Sequence, residues 1–317
     1  MKILLTGGTG FLGTAFLRFL ASLPNRFDFD VTVVSSGRTG SMFLFTDHVE
    51  YLQLDLTDMS SVDAFENLKF DTVLHFATTS TLGSKFSEIQ RFRDITLIDC
   101  IVLEIVKKVK ANHLVWASSG AVYGKIDDYQ QTNESKNIKL DNLFDESAYR
   151  IGKIKSEYHA AKFAELNNIK LDILRLFSFA GIDLPLDVHF ALGNFIRDAL
   201  KSECINIAGT GLAKRSYLDQ NNFAEIIHCI LRNPSSGLRV LNIGSPEEMN
   251  LERVANIVRD VSFEVLGSKP DLKIHNEFDD RDNYYVPDIG SLQAIFPDLR
   301  FKSLLESVRA IVKYSQR

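Results

Sequence analysis

The segment from Lys2 to Leu23 constrains this chain most. A short apolar run, Lys2 to Thr6, breaks at once into Gly7-Gly8-Thr9-Gly10-Phe11-Leu12-Gly13, and a helical pattern follows from Thr14 to Leu23. Strand, glycine turn and helix in that order describe a backbone that comes unusually close to its neighbour. Glycine tolerates φ > 0, and a helix N-terminus offers unpaired N–H groups and the positive end of a dipole to phosphate. The spelling satisfies GxGxxG through Gly8, Gly10 and Gly13, and GxxGxxG through Gly7, Gly10 and Gly13. The context makes Gly7, Gly10, Phe11, Leu12 and Gly13 candidates to hold a dinucleotide pyrophosphate; the plain alternative is a turn with packing glycines.

Further strands are expected at Asp30–Val34, Tyr51–Leu54, Thr72–Phe76 and His113–Ala117, with helical patterns around Ser60–Leu68 and Asp99–Lys110. This alternation predicts an α/β fold with a doubly wound parallel (Rossmann) sheet, its ligands beyond the C-terminal strand ends. An NAD-selective site wants a carboxylate at the end of the second strand, roughly 20 residues past the glycines. Ser35 and Ser36 stand there instead, followed by Arg38. Small hydroxyls leave room for a 2′-phosphate and an arginine neutralises it, so NADP is favoured, with NAD as the alternative. Asp55-Leu56 at the end of the third strand faces the expected adenine, and Phe76-Ala77 ends the fourth. His75 and His113, inside apolar strands, read as core residues rather than ligands.

After Arg175 the rhythm breaks into a loop, Gly181 to Pro185, and a helix from Leu192 to Leu200. The expected organisation is therefore a dinucleotide-binding domain, 1–177 with 212–245, and a smaller C-terminal substrate-binding region, 178–211 with 246–317. Glu247, Glu248, Glu252 and Arg253 are expected in the exposed first turn of a helix. The polar stretch Asp127–Phe144 is expected to be either a lid or an inert surface loop.

With 317 residues, 45% hydrophobic and 24% charged, the chain has the composition of an ordinary soluble protein. Net charge of -5 argues against a general nucleic-acid or acidic-membrane binder. No run approaches the roughly 18 apolar residues that span a bilayer, and the apolar start is too short for a secretory leader. Three cysteines without CxxC and seven histidines without HxxxH or HExxH spacing predict no disulfide framework and no metal site. A cytoplasmic location is expected.

Ser118-Ser119-Gly120 follows the fifth strand, and Tyr149-Arg150-Ile151-Gly152-Lys153 opens a later helix. Tyrosine and lysine at i and i+4 share one helix face. Positive charge beside a phenol stabilises the phenolate, so Tyr149 can exchange a proton with a hydroxyl or carbonyl while hydride moves at the adjacent carbon. Ser119 is placed to hydrogen-bond that same oxygen. A second YxxxK, Tyr158 to Lys162, lies about 180° around the helix, so both cannot serve one site. Tyr149 is preferred because it opens the helix and extends to Glu157 as YxxxKxxxE; Tyr158 is assigned to packing or a helix–helix contact.

These segments resemble the extended short-chain dehydrogenase/reductase family in its nucleotide-sugar epimerase/dehydratase/reductase branch. The likeness rests on TGGTGFLG (Thr6–Gly13), DLTD (Asp55–Asp58), SSGAVYG (Ser118–Gly124), YRIGK (Tyr149–Lys153), LRLFSFAG (Leu174–Gly181), KRSYLDQNNFAEII (Lys214–Ile227) and LNIGSPEEMNLERVANIV (Leu241–Val258). It implies a catalytic set of Ser119, Tyr149 and Lys153, with the last two also on the cofactor, and a nucleoside diphosphate sugar as substrate. Tyr123, Ser178, Asn194, Arg215 and Arg281 are the corresponding substrate-binding candidates; Ser178 replaces the family's usual asparagine.

Relatives that dehydrate or decarboxylate carry acidic residues directly after the catalytic hydroxyl, where this chain has Gly120-Ala121. The remaining choices are reduction of a 4-keto-6-deoxy nucleotide sugar, favoured here by Ser35 and Ser36, and NAD-dependent 4-epimerisation. A non-catalytic NADP-binding regulator is the remote alternative. The resemblance further implies a homodimer through a four-helix bundle built from Ile98–Lys110 and Tyr149–Leu166, whose apolar residues Ile98, Ile101, Val102, Ile105, Ile151 and Ile154 exceed what one sheet face needs.

Overall fold

The computed structural model describes the chain except residues 25–27, 38–47, 80–86, 126–130, 139, 141–145, 187–189, 280–282 and 317. Arg38, Arg281 and half of Asp127–Phe144 thus lie outside the described residues. The first half of the chain runs β1 (Lys2–Thr6), α1 (Phe11–Ser22), β2 (Asp30–Ser35), β3 (Val49–Gln53), β4 (Thr72–His75), α2 (Glu88–Val109), β5 (His113–Ser119), α3 (Ala148–Asn167) and β6 (Lys170–Leu176). The remainder holds β7 (Ser178–Ala180), α4 (Ala191–Leu200), β8 (Ile205–Ile207), β9 (Lys214–Asp219), α5 (Gln220–Arg232), β10 (Leu238–Ile243), β11 (Glu248–Asn250), α6 (Leu251–Leu266), β12 (Leu272–Ile274), β13 (Tyr284–Tyr285), α7 (Gly290–Ile295) and α8 (Leu304–Tyr314).

Two compact units result: 1–122 with 139–175 and 224–241, and 123–138 with 176–223 and 242–317. The first is built on a seven-stranded sheet in the order β10-β6-β5-β4-β1-β2-β3. Pairings of β1 with β2 and β4, of β2 with β3 and of β4 with β5 are parallel. Strand order reverses between β1 and β4, which is where a doubly wound sheet opens a crevice at its C-terminal edge. β4 and β5 are buried along their whole length, so their sequences show no apolar–polar alternation, and their polar residues lie towards the strand ends.

Helix placement follows local chemistry. Ser87 caps α2 through the Gln90 N–H at 3.1 Å, Glu88 complements the dipole there, and Lys107 and Lys108 do so at the other end. Ser147 caps α3 through the Arg150 N–H at 3.2 Å, which is why Tyr149 falls in the first turn. The pattern at Ser60–Leu68 is not an α-helix. It is a 3₁₀ segment, Met59–Phe65, capped by Asp58 and followed by Asn67 at φ 62°, with i→i+3 bonds from the Ser61 N–H to Asp58 O and from the Glu66 N–H to Asp63 O.

Ile98, Ile101, Val102 and Ile105 of α2 are consumed by the chain's own core, packed with Val73, Leu114, Trp116 and Ile173. They leave no apolar surplus, contrary to expectation; Ile151 and Ile154 of α3 remain half-buried, and Tyr158 is exposed rather than packed.

The second unit centres on β9, flanked by β11 and β13 and paired in parallel with β7. These pairings assign 212–223 to this unit, whereas the sequence reading grouped them with the dinucleotide domain. Glu247 and Glu248 precede the helix they were expected to open: α6 begins at Leu251 with Asn250 as its cap. Glu248 sits on β11 and accepts from Tyr284 Oη at 2.6 Å, while Glu247 accepts the Leu304 N–H at 3.0 Å.

At the opposite strand ends of the first unit, Asp172 is fully buried on β6. It accepts from His113 Nε2 at 2.8 Å, from the Ser235 N–H at 3.4 Å and from Arg239. Removing the carboxylate leaves buried donors unsatisfied. Asp172→Ala is expected to lower unfolding free energy by about 3 kcal/mol in urea denaturation without changing the fold.

Candidate active site

The glycine turn is sterically committed. Gly7 has φ +75°, and a Cβ there would lie 2.6 Å from Ala77 N. At Gly13 a Cβ would lie 2.3 Å from Gly7 O and 2.4 Å from Gly8 Cα. Gly8 instead faces the sheet, 2.6 Å from Val33 Cγ1, so Gly7, Gly10 and Gly13 are the turn residues and Gly8 is the packing glycine. The nearest contact to a Cβ at Gly10 is 3.3 Å, so this position opens outward. Gly10 also caps α1, with no side-chain cap and no acidic residue in the first turn. A backbone cradle leading to an uncapped helix N-terminus suits a pyrophosphate. Gly13→Ala is expected to weaken dinucleotide binding by more than tenfold and to lower Tm, read by fluorescence titration and differential scanning fluorimetry.

At the end of β2, Ser35 is nearly buried and its hydroxyl lies 2.8 Å from Thr9 Oγ1 and 3.3 Å from the Gly37 N–H. Ser36 is exposed. The pair therefore forms a neutral lip where a carboxylate would otherwise stand. Asp55 Oδ1 accepts from the Thr57 N–H at 2.9 Å and Thr57 Oγ1 at 2.7 Å, shaping its own turn. The Leu56 side chain joins the sheet core. Phe76 and Ala77 follow β4 directly and are half-buried, with the Phe76 N–H held by Thr6 O at 3.1 Å.

β5 ends at Ser119, and the first turns of α3 carry Tyr149 and Lys153. Ser119 Oγ accepts the Ala121 N–H at 3.1 Å, which leaves its proton to donate. Lys153 is 3% exposed, and its ammonium donates to Ala117 O at 3.0 Å. One described acceptor for three donors leaves two N–H groups, which a ribose diol would satisfy. The cradle and this under-partnered ammonium fit a nicotinamide dinucleotide.

Sequence reading noted Glu157 only as a motif extension. It is buried, accepts from Ser118 Oγ at 2.6 Å and pairs with Arg175 at 2.8 Å, tying α3 to β5 and β6 one residue from Ser119. Trp116 Nε1 donates to Ser156 Oγ at 2.8 Å along the same seam.

In the second unit the substrate candidates fare unevenly. Tyr123 is 4% exposed and donates to Asn242 Oδ1 at 2.8 Å, a structural contact rather than an open sugar-facing hydroxyl. Ser178 lies on β7 opposite Tyr217. Burial pushes the Tyr217 phenol up to about 12, so it keeps its proton near neutrality. Asn194, in the first turn of α4, accepts from Arg197 at 3.0 Å. Arg215 donates to Lys214 O at 2.7 Å and Asn283 O at 3.0 Å, with its guanidinium 5.9 Å from the Tyr285 ring centroid. Among the described residues no cluster of His, Cys, Asp or Glu could hold a metal, and no helix is long and apolar enough to cross a membrane.

A doubly wound sheet with a glycine cradle and a Ser/Tyr/Lys edge defines a dinucleotide-dependent class of enzymes. Within it, this chain belongs to the NAD dependent epimerase/dehydratase family, which residues 3–244 match. It is 25% identical over 280 residues to UDP-glucuronic acid decarboxylase 6 of Arabidopsis thaliana, covering 86% of this chain and 76% of that one. It is 22% identical over 277 residues to UDP-glucose 4-epimerase of Corynebacterium glutamicum, covering 83% and 80%. In fold it is similar to a UDP-glucose 4-epimerase of Thermotoga maritima, with TM-score 0.84 and 20% identity over 100% of this chain and 99% of that one.

Proposed function

We propose that this enzyme transfers hydride at C4 of a nucleoside diphosphate sugar, by reduction of a 4-keto-6-deoxy sugar with NADPH. The observation that carries the chemistry is the set Ser119, Tyr149 and Lys153 followed by Gly120-Ala121, which bear no acid or base. Ser119 donates its free proton to the C4 oxygen, and Tyr149 exchanges a proton with that oxygen as hydride moves. Lys153, anchored on Ala117 O, lends positive charge to the phenol and hydrogen bonds to the ribose. The dinucleotide, when bound, supplies the hydride. Elimination of water or carbon dioxide needs a further proton donor or acceptor, and residues 120 and 121 offer neither, which separates this chain from its decarboxylase relatives.

The neutral lip of Ser35 and Ser36 favours the 2′-phosphate of NADPH. Tightly held NAD and 4-epimerisation form the second reading, favoured by the epimerases among the relatives and by the family's NAD dependence. Arg215 and Asn194 are the proposed diphosphate ligands. Three unpaired cysteines agree with a reducing cytoplasm.

The test is the dinucleotide released on denaturing the purified protein, followed by titration of the emptied enzyme with NADPH and NADH. An empty protein preferring NADPH supports reduction; stoichiometric NAD overturns it in favour of epimerisation. Tyr149→Phe is expected to lose about 10³-fold in turnover while binding dinucleotide within threefold of wild type. Unchanged biological function in that variant would mean a regulator instead.

We also propose a homodimer through the outer stripe of α2 and α3. Half-buried Leu97, Ile151 and Ile154 and exposed Tyr158 supply it, since the inner residues of α2 are already used. Light scattering after size exclusion is expected to give twice the chain mass; a monomer would refute the dimer.

A further inference from the structure

Beneath the glycine turn lies a buried line of hydrogen bonds that the reaction above leaves unused. Thr6 ends β1 at 0% exposure, His75 ends β4 at 1%, and Asp99 on α2 is 4% exposed. The Ala77 N–H donates to Thr6 Oγ1 at 3.3 Å; Thr6 Oγ1 lies 2.8 Å from His75 Nδ1, and His75 Nε2 lies 3.4 Å from Asp99 Oδ1. Donor order follows from counting protons. Thr6 Oγ1 already accepts from Ala77, and its own proton has no other described acceptor than His75 Nδ1. That nitrogen must then be bare, so the ring proton sits on Nε2 and donates to the Asp99 carboxylate.

We propose that His75 is a positioning residue for the dinucleotide, the neutral Nε2–H ring between Asp99 and Thr6 that holds the Ala77 amide against Gly7. The inference rests on the reading of this turn as the cofactor site. Its surroundings agree. Burial pushes the imidazole below its ordinary value against the opposing pull of Asp99, and the Lys153 ammonium on α3 acts in the same direction as burial. Trp116 on β5 covers the ring, with centroids 4.2 Å apart. The Gly7–Ala77 approach has no slack, since even a methyl group would meet Ala77 N at 2.6 Å. A bond that fixes Ala77 therefore fixes the floor of the glycine turn, on which the pyrophosphate of the cofactor would rest.

The experiment compares NADH and NADPH affinity in Thr6→Val, His75→Leu and His75→Gln with wild type, alongside ring ¹⁵N shifts of His75 in the wild-type protein. His75→Leu and Thr6→Val are expected to weaken binding at least tenfold. His75→Gln is expected to stay within threefold, because an amide can accept from Thr6 and donate to Asp99. The double variant Thr6→Val/His75→Leu should be no weaker than the weaker single. The ¹⁵N shifts at pH 7 should report a neutral ring protonated on Nε2. A folded Thr6→Val or His75→Leu with wild-type affinity overturns the proposal, as does a ring protonated on Nδ1 or on both nitrogens. If His75→Leu does not fold, Thr6→Val and the ring spectrum decide. If wild type binds neither dinucleotide, the cofactor reading itself fails and the positioning role falls with it, an outcome distinct from equal binding by wild type and variants.

Discussion

The contact between the Gly7 backbone and the Ala77 amide is the constraint on which the rest of the first unit depends. Two parallel strands, β1 and β4, must end side by side with no side chain between them, and only glycine permits it. Because β1 and β4 flank the reversal of strand order, that close approach also defines where the sheet opens. The helix that follows packs its own glycine, Gly13, onto the same turn. Strand spacing, helix placement and an anion-ready N-terminus are therefore consequences of one steric condition.

Around this turn the protein invests in buried polar contacts rather than apolar filling alone. Thr6, His75 and Asp99 form one line, and Ser118, Glu157 and Arg175 form another beside Ser119. Each joins a strand end to a helix. Polar contacts of this kind cost more than apolar packing if any partner is missing, and in return they admit a single arrangement. That trade suits strand ends that hold candidate site residues such as Ser119. Away from the edge, at Asp172, a comparable cluster closes the other end of the sheet.

Much of the fold was legible because its signals are local. Apolar runs bounded by turns marked β1, β2, β4 and β5 to within a residue or two, and Tyr149–Lys153 marked the start of α3 to within a residue. The misreadings were also local in origin. At Ser60–Leu68 the apolar spacing suited a helix, but the chain closes i→i+3 bonds there and leaves the helical region at Asn67, φ 62°. At Glu247 and Glu248, charge suggested a first helical turn, while Asn250 is the better cap and Glu248 is recruited to a strand by Tyr284. Tyr123 sat in a motif that pointed to a ligand, yet its hydroxyl belongs to Asn242, 119 residues away.

The sequence by itself determined the alternation of strands and helices, the glycine turn, the placement of Tyr149 and Lys153 on one helix face, and the absence of acids after Ser119. All of these depend on residues a few positions apart, where covalent geometry and helical period set the outcome. Tertiary structure alone decided which glycine packs and which turns, which groups flank the His75 ring, what Glu157 holds, and that Ile98, Ile101, Val102 and Ile105 are spent on the chain's own core. Those outcomes join residues such as Thr6 and His75, 69 positions apart, and the identity of a buried hydrogen-bond partner is fixed only when the sheet brings both ends together.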